Sequence, residues 1–451
     1  MSLPRYPEYK DSGVFWLGSI PTHWSPARLK EVIRSIDSGV SVNAIDIPAT
    51  DVAIGVLKTS CVYDGTFRYT ENKAVVNEDL ARVSCPVEEG TLIVSRMNTP
   101  ALVGAAGLVT QSHPNIYLPD RLWQVSLRGA SPSFMHYWTL SREYRAQVEV
   151  ACSGTSSSMQ NLGQDQFKNF QIALPLEDEQ HTIATFLDRE TTKIDALIAE
   201  QEKLLVLLAE KRQTTISHAV TRGLNPNAPM KDSGIPWLGE VPAHWRVTKC
   251  GRFLSVLSGY AFPSVGFDHS GNGIKLLRGV NVSVGSLRWD DVVYWERSTD
   301  DGLDEYELRA GDLVIGMDRP LIATGMRVAK VKEEDVPCLL LQRVALLRTS
   351  SELNSDFLMH LLSSSMFVAH FSPETTGVSV PHISPDQIAS FVITMPPVDE
   401  QRRVIDFLDD ELCRLTRLRQ QSELAIQLLK ERRSALISAA VTGKIDVRHA
   451  A

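Results

Sequence analysis

The chain has 451 residues, 43% of them hydrophobic, which is enough for two to four domains with ordinary cores. Its 46 basic and 54 acidic residues give a formal net charge of −8, which argues against nucleic-acid binding by bulk positive charge. The sequence has neither a transmembrane-length apolar run nor a signal-peptide pattern at its start, so we expect a soluble, cytoplasmic protein.

Two similar segments mark the beginning of each half of the chain. Lys10 to Trp24 reads KDSGVFWLGSIPTHW, and Lys231 to Trp245, offset by 221 residues, reads KDSGIPWLGEVPAHW. Glycine, proline and paired tryptophans predict an ordered turn that docks onto a domain, with the tryptophans as packing anchors. We call these the docking segments.

Short strands and turns follow each docking segment. Strands are predicted at 53–58, 66–69, 91–95, 104–109 and 122–127 with a helix at 133–144, and again at 274–278, 287–289, 312–316, 326–331 and 339–347 with a helix near 356–371. This pattern predicts a compact α+β domain with an irregular sheet in each half. The loops differ between the halves, as expected if each domain binds something different.

A long helix closes each half, from Asp178 to Val220 and from Asp399 to Val441. Apolar residues recur in an alternating step of three and four, which is typical of a coiled-coil seam. At 1.5 Å per residue each helix would span roughly 64 Å, too long for one small domain to cover. The other copy is the obvious partner.

Two such halves can be related by a pseudo-twofold axis if their long helices pair antiparallel. In one register Glu190 would lie near Arg432 and Lys211 near Glu411. A shifted register, or pairing with the helix of a partner protein, would place these side chains elsewhere.

Together, these motifs resemble the specificity subunit of type I restriction-modification systems over nearly the whole chain. The residues that carry the resemblance are the two docking segments, the P…DEQ…FLD helix openings at 175–188 and 396–409, the SGYAF motif at 258–262 and the junction at 219–234. The first half departs from the family pattern at 37–42, where DSGVSV replaces a full SGYAF-like motif.

The resemblance implies an α+β fold in which two similar target recognition domains are separated by two long helices that form an antiparallel coiled coil, with an internal pseudo-twofold repeat. The corresponding boundaries are 1–24 for the first docking segment, 25–174 for the first target recognition domain, 175–222 for the first helical spacer, 223–245 for the junction with the second docking segment, 246–395 for the second target recognition domain, and 396–451 for the second spacer and tail.

The resemblance also implies partners. Each domain would recognise one half of a split sequence in double-stranded DNA, and the helices would dock two methyltransferase subunits, to which restriction subunits are added. S-adenosylmethionine, ATP and Mg would belong to those partner subunits, and neither a membrane nor a cofactor of this chain is expected.

Catalytic motifs are missing from the sequence. Gly443-Lys444 is followed by Ile445 and does not form a phosphate loop, and DEQH at 178–181 fits helix capping better than a helicase box. No methyltransferase motif is present, and the histidines and cysteines lack metal-ligand spacing. We therefore expect no catalytic and no metal-binding residues.

What remains is base recognition, which requires hydrogen-bond donors on loops that reach a DNA groove. The candidates in the first domain are Lys58, Thr59, Arg96, Asn98 and Thr99. Those in the second domain are Tyr260, Ser264, Arg278, Asn281, Arg319 and Gln342. Each could instead be a solvated surface residue or a phosphate contact.

Two other functions stay open at this point. A protein-interaction scaffold with duplicated binding domains would show the same repeats but no sequence-selective DNA binding. A self-contained restriction enzyme would require catalytic motifs that the sequence lacks.

Overall fold

The computed structural model describes residues 4–50, 52–152, 158–322, 325–375 and 382–449. The chain forms two compact units, one of Met1–Glu202 with Leu424–Ala451 and the other of Lys203–Glu423. Each long helix begins in one unit and ends in the other, because the helices cover Glu177–Arg222 and Val398–Val441. None of the helices in the described part of the chain combines the length and hydropathy needed to span a bilayer.

The first half contains fifteen described strands and four short helices before its long helix. The strands are Tyr9–Asp11, Ser19–Pro21, Ser25–Arg28, Ile33–Ser38, Ala44–Ile45, Gly55–Leu57, Asn72–Val75, Pro86–Val87, Leu92–Ser95, Met97–Asn98, Ala106–Leu108, His113–Tyr117, Leu122–Leu127, Gln160–Asn161 and Gln171–Leu174. The short helices are Leu29–Val32, Pro132–Thr139, Arg142–Cys152 and Gln164–Lys168.

The second half repeats this order with thirteen described strands and three short helices. The strands are Met230–Asp232, Glu240–Pro242, Arg246–Lys249, Leu254–Ser258, Ile274–Leu277, Tyr294–Trp295, Leu313–Gly316, Leu321–Ile322, Gly325–Met326, Val328–Lys330, Cys338–Leu340, Val344–Thr349 and Val392–Met395. The short helices are Ser355–Leu362, Ser365–Thr375 and Pro385–Ser390.

Both domains are built on the same four-stranded antiparallel sheet. Its order in the first domain is Ala106–Leu108, Leu92–Ser95, Leu122–Leu127, Ile33–Ser38, and in the second it is Val328–Lys330, Leu313–Gly316, Val344–Thr349, Leu254–Ser258. A second sheet in each domain contains one parallel pair: Gly55–Leu57 with His113–Tyr117, and Ile274–Leu277 with Cys338–Leu340. The predicted α+β repeat is confirmed.

Several predicted elements are wrong in detail. The segment 66–69 forms no strand, and 287–289 forms only an isolated bridge. Both segments lie against a 3-10 turn instead: the Arg68 N–H donates to the Cys61 carbonyl, and the Arg288 N–H donates to the Asn281 carbonyl. The predicted strand 339–347 is broken at 341–343.

Each predicted short helix is in fact a pair of helices. In the first domain the break follows Thr139, where the Ser141 hydroxyl donates to the Trp138 carbonyl (2.7 Å) and accepts from the Tyr144 N–H (3.2 Å). This side chain ends one helix and caps the next, as serine at a helix boundary does. In the second domain the break lies between Leu362 and Ser365.

The docking segments are β-hairpins that hold the start of a long helix. Trp24 and Trp245 are fully buried, which confirms their predicted role as packing anchors. His23 Nε2 lies 2.8 Å from Glu179 Oε2, and 221 residues further on His244 Nε2 lies 2.8 Å from Glu400 Oε2. The glutamate of the DEQ motif therefore binds the hairpin in both halves.

The glutamine of the same motif binds the domain. Gln180 Oε1 accepts from the backbone N–H of Ser131 (2.8 Å), and its Nε2 donates to the Pro175 carbonyl (3.0 Å). Gln401 accepts in the same way from the Asn354 N–H (2.8 Å). The DEQ motif thus connects hairpin, domain and helix, which orients each domain on its own helix.

Within each unit the long helices run antiparallel. In the first unit Arg433 Nε donates to Asp195 Oδ1 (2.9 Å), and Arg448, later in the chain, interacts electrostatically with Glu179, earlier in the chain. In the second unit Gly223, at the end of the first helix, lies near the Glu400 carboxylate at the start of the second. Arg212, earlier in the first helix, interacts electrostatically with Arg419, later in the second. The predicted antiparallel pairing is confirmed.

The predicted register is wrong. Among the described residues neither predicted ion pair forms, since Glu190 binds Lys193 of its own helix (2.8 Å) and Glu411 lies 3.9 Å from Arg414. Exposed charges contribute little to stability, so buried apolar residues set the register. Asp195 forms an ion pair with Arg433. The predicted register would have placed Gln427 opposite Asp195, so the observed register is shifted by six residues.

Candidate nucleic-acid interface

In both domains a short strand of the second sheet leads directly into a 3-10 turn that carries predicted DNA-contacting residues. Lys58 follows Gly55–Leu57 and precedes Thr59–Val62, and Arg278 follows Ile274–Leu277 and precedes Gly279–Asn281. Lys58 and Arg278 therefore occupy equivalent positions. This equivalence follows from the parallel strand pair that both domains share.

Lys58 belongs to a small cationic cluster. Its Nζ lies 2.8 Å from Asp46 Oδ1, and Lys73 Nζ lies 3.5 Å from the same oxygen. Hydrogen bonding and charge interaction with Lys58 lower the pKa of Asp46, and the Asp46 carboxylate raises the pKa of Lys58. Two ammonium groups share the Asp46 carboxylate, and the Glu71 charge also acts on Lys58. Ammonium groups of this kind can exchange a carboxylate partner for a phosphate.

Thr59 and Asn98 are brought together through Tyr63, which the sequence analysis missed. Tyr63 OH lies 2.8 Å from Thr59 Oγ1 and accepts from Asn98 Nδ2 (3.2 Å). Asn98 is only 6% exposed and also binds Ser95, whereas Thr99 is exposed. An aromatic residue four positions after Thr59 was the available signal for Tyr63.

Arg96 lies beside the central sheet. Its guanidinium carbon is 5.9 Å from the centre of the Trp123 ring, and its Nε is buried without a hydrogen-bond partner in the described part of the chain. The Arg96 backbone N–H donates to the Arg121 carbonyl (3.1 Å). Arg121 thereby enters the candidate surface as a residue that the sequence analysis did not select.

Arg278 and Asn281 are engaged within their own loop. Arg278 Nη2 donates to the Asp291 carbonyl (2.8 Å) and forms an ion pair with its carboxylate (2.7 Å). Asn281 is 1% exposed, and its Nδ2 donates to the carbonyls of Arg288 and Asp291. In this geometry both side chains shape the loop.

Four further candidates in the second domain are exposed: Tyr260, Ser264, Arg319 and Gln342. The structure brings Tyr260 and Gln342 together, because the Gln342 N–H donates to the Tyr260 carbonyl (2.9 Å). The Tyr260 ring packs against Tyr306, with ring centres 5.4 Å apart. Ser264 begins a separate 3-10 turn. The DNA contacts of all eleven candidates stay predictions.

A cluster beside Arg319 also escaped the sequence analysis. Arg343 Nη1 donates to Asp318 Oδ1 (3.1 Å), and His382 Nδ1 lies 2.7 Å from the same oxygen. Arg327 Nη1 donates to the Asp318 carbonyl (2.9 Å), and burial lowers the pKa of Arg327. Extending the alignment of the two halves would have shown that Arg121 and Arg343 precede equivalent strands.

The first half has DSGVSV where the second half has the SGYAF motif, but both keep a glycine that lies close to a neighbouring backbone. A Cβ on Gly39 would overlap the Leu118 carbonyl, and one on Gly259 would overlap the backbone of Leu341. Glycine is therefore required at both positions, although only the second half continues with an aromatic residue, Tyr260.

The described residues contain no group of His, Cys, Asp and Glu side chains arranged to hold a metal ion. What the surface does offer is backbone-anchored loops with arginine, lysine and polar side chains at strand ends. Such groups bind phosphates and base edges.

Comparison with known proteins supports a DNA-related role. The family model described as "Type I restriction modification DNA specificity domain" matches residues 86–205 and 290–427. The chain is 31% identical over 240 residues to the type I restriction enzyme EcoAI specificity subunit of Escherichia coli, covering 53% of this chain and 40% of that protein. It is 27% identical over 284 residues to the MjaVIII specificity subunit of Methanocaldococcus jannaschii, covering 63% and 64%. The matches thus span less than two thirds of both relatives.

Solved structures share the fold. A chain from a study of complex assembly and conformational transition of the type I R-M system superposes with a TM-score of 0.71 at 17% identity, covering 94% of this chain and 98% of that one. The HsdS subunit from Thermoanaerobacter tengcongensis gives a TM-score of 0.55 at 18% identity with the same coverage. At these identities the likeness establishes the fold alone.

Proposed function

Because this chain belongs to the type I restriction-modification DNA specificity family, we propose that it is the subunit that selects the DNA target of a type I complex. It recognises a bipartite sequence, one half-site per domain, and positions adenine methyltransferase and restriction subunits on that DNA. It makes and breaks no covalent bond itself.

The observation that carries this proposal is one scaffold used twice with different contact residues. The family matches fall in both halves, and both domains repeat the same four-stranded sheet and the same parallel strand pair. The turn after the parallel strand begins with Lys58 in one domain and Arg278 in the other, in different surroundings. Equivalent loops with different donors suit two different half-sites.

In this proposal the chain's residues do two kinds of work. Charged groups such as the Lys58 and Lys73 pair bind phosphates and fix the register of each domain on the duplex, whereas exposed donors on the loops discriminate bases. The net charge of −8 makes such local patches, and the surfaces of partner proteins, more important than bulk attraction.

The long helices provide the attachment for two methyltransferase subunits, and restriction subunits join that core. S-adenosylmethionine, ATP and Mg bind to these partners, since the sequence of this chain lacks the phosphate-loop and methyltransferase motifs. A methyltransferase must extrude its target adenine from the duplex, and the recognition domains determine which adenine is presented.

The test is DNA retention by the complex of the full chain with its methyltransferase subunits. We expect the complex to retain a duplex carrying its split target and to release a duplex of the same composition with scrambled half-sites. Equal retention of both duplexes would contradict the proposal and favour a protein-interaction scaffold. DNA cleavage or methylation by the isolated chain would contradict its non-catalytic role.

A further inference from the structure

Arg343 and Arg319 have strained backbones at one edge of the second domain. Their φ angles are +71° and +44°, in the left-handed region that non-glycine residues rarely adopt. The two loops are linked, since the Met317 N–H donates to the Arg343 carbonyl (2.9 Å). Such conformations are energetically unfavourable and concentrate at functional sites. Glycine would relieve the strain, so the arginine side chains themselves need an explanation.

The Arg343 guanidinium is held at one corner and otherwise open. Its Nη1 donates to both oxygens of Asp318, at 3.1 and 3.2 Å, while the side chain stays 60% exposed. Its hydrogen bonds to residues that the structure describes both come from Nη1, so Nε and Nη2 are available to a ligand. His382 Nδ1, 2.7 Å from Asp318 Oδ1, restrains the carboxylate in turn.

The surroundings are positively charged in an otherwise acidic protein. Arg319 is exposed and follows Asp318 in the chain. Burial lowers the pKa of Arg327, and the positive charge of Arg319 lowers it further. Arg327 Nε donates to the Val282 carbonyl (2.9 Å), and its Nη1 donates to the Asp318 carbonyl, so this side chain links the loop at Val282 to the loop at Asp318. Arg343 thus binds the Asp318 carboxylate, Arg327 binds the Asp318 backbone carbonyl, and Arg319 is the next residue in the chain.

The first domain has an arginine at the position equivalent to Arg343 but lacks the carboxylate and histidine that restrain Arg343. Arg121 takes the place of Arg343, because the Arg96 N–H donates to the Arg121 carbonyl just as Met317 N–H does to that of Arg343. The position of Asp318 is occupied by Met97, which pairs with Asn161 as Asp318 pairs with His382. The restrained arginine is therefore specific to the second domain.

We propose that Arg343 recognises a guanine in the half-site bound by the second domain, with Asp318 and His382 as positioning residues. An arginine that offers two adjacent N–H groups fits the O6 and N7 acceptors of guanine in the major groove. The inference rests on the proposed function and adds to it the identity of one base and of the side chain that contacts it. One such contact discriminates against other bases by about tenfold to a hundredfold.

The first experiment selects duplexes from a random pool with the complex of full chain and methyltransferase subunits. The wild-type complex is expected to select a split motif with a fixed guanine in one half. Arg343→Gly should lose the preference at that position alone, by about tenfold or more. Arg343→Lys, which keeps the charge but not the two-pronged geometry, and Asp318→Asn should weaken the preference. Because glycine relieves the positive φ, Arg343→Gly is expected to fold, and its melting temperature checks this.

Arg246→Lys is the matched control. Arg246 is also in the second unit, is 58% exposed and forms an ion pair with Glu352 at 2.8 Å, so it resembles Arg343 in exposure and pairing. We expect the selected motif of this variant to be identical to that of the wild type.

The second experiment replaces the selected guanine by 7-deazaguanine, which lacks the N7 acceptor. The wild-type complex should bind this duplex about tenfold more weakly, and the Arg343→Gly complex should bind both duplexes equally. A role of Arg343 in folding alone would not produce this coupling between one side chain and one base atom.

The outcomes separate the two proposals. If the wild-type complex selects no sequence, the proposed function fails and the inference falls with it. If it selects a split motif that the Arg343 variants share at every position, the function stands and the inference is overturned. A loss of binding that is equal on all sequences would make Arg343 a phosphate contact and would also overturn it.

Discussion

The buried glutamine of the second DEQ motif is the residue whose removal should most weaken the attachment of a domain to its helix. Gln401 is 0% exposed and makes three hydrogen bonds to backbone: it accepts from the Asn354 N–H (2.8 Å) and donates to the carbonyls of Glu352 (2.9 Å) and Pro396 (3.0 Å). At about 1 kcal/mol net for each, Gln401→Ala should lower the free energy of unfolding of this unit by about 3 kcal/mol.

Calorimetry of the full chain measures this change. For a unit of about 220 residues, a loss of 3 kcal/mol corresponds to a fall in melting temperature of about 6–12 °C. Gln180→Ala removes two hydrogen bonds in the other unit and should cost about 2 kcal/mol there. Gln420→Ala, at an exposed position of the same helix as Gln401, should stay within about 0.5 kcal/mol of the wild type.

The comparison between two glutamines on one helix makes the result decisive. If Gln401→Ala unfolds at the same temperature as Gln420→Ala, the hydrogen bonds to the domain do not stabilise it. The DEQ motif would then be a helix cap alone, and another contact would have to orient the domain on its helix.

Three further outcomes can be measured. Hydrogen bonding to Arg297 lowers the pKa of Asp301 to about 2. The Asp301 carboxylate therefore stabilises the fold above its unfolded pKa of about 3.9, and this stabilisation is lost as the pH falls through 2. Asp301→Asn should lower the melting temperature at pH 7, by an amount that vanishes near pH 2. Gly39→Ala should lower the melting temperature because its Cβ would overlap the Leu118 carbonyl, and an unchanged value would contradict this close approach. Arg319→Ala should weaken binding of the selected duplex by about 1–3 kcal/mol if Arg319 contacts a base, whereas equal weakening on all duplexes would indicate a phosphate contact.

The long helices and the duplication could be predicted from the sequence because their signals repeat. The first helix was predicted from Asp178 to Val220 and extends from Glu177 to Arg222, since apolar periodicity and the DEQ opening are local properties. The predicted register of the helix pair was wrong because it depended on Glu190, a partly exposed charge that finds a partner on its own helix.

The candidate site was only partly predictable. Lys58 and Arg278 end the predicted strands 53–58 and 274–278, and each in fact lies one residue beyond the observed strand, which is a local property of the sequence. The ion-paired cluster was missed because Asp318 and His382 lie 64 residues apart in the chain, and nothing in the composition around Arg343 signals its positive φ. Burial of Asn98 and Asn281 likewise depends on tertiary contacts that their neighbours in sequence do not show.

The most direct test of the central claim is to map methylated adenines in the genome of the host that carries this chain and its partners. We expect a single split motif, with two specific half-sites separated by a gap of constant length, that disappears when this chain is deleted. An unbroken motif, or a methylation pattern that survives the deletion, would contradict the claim that two domains of this chain each recognise one half of the target.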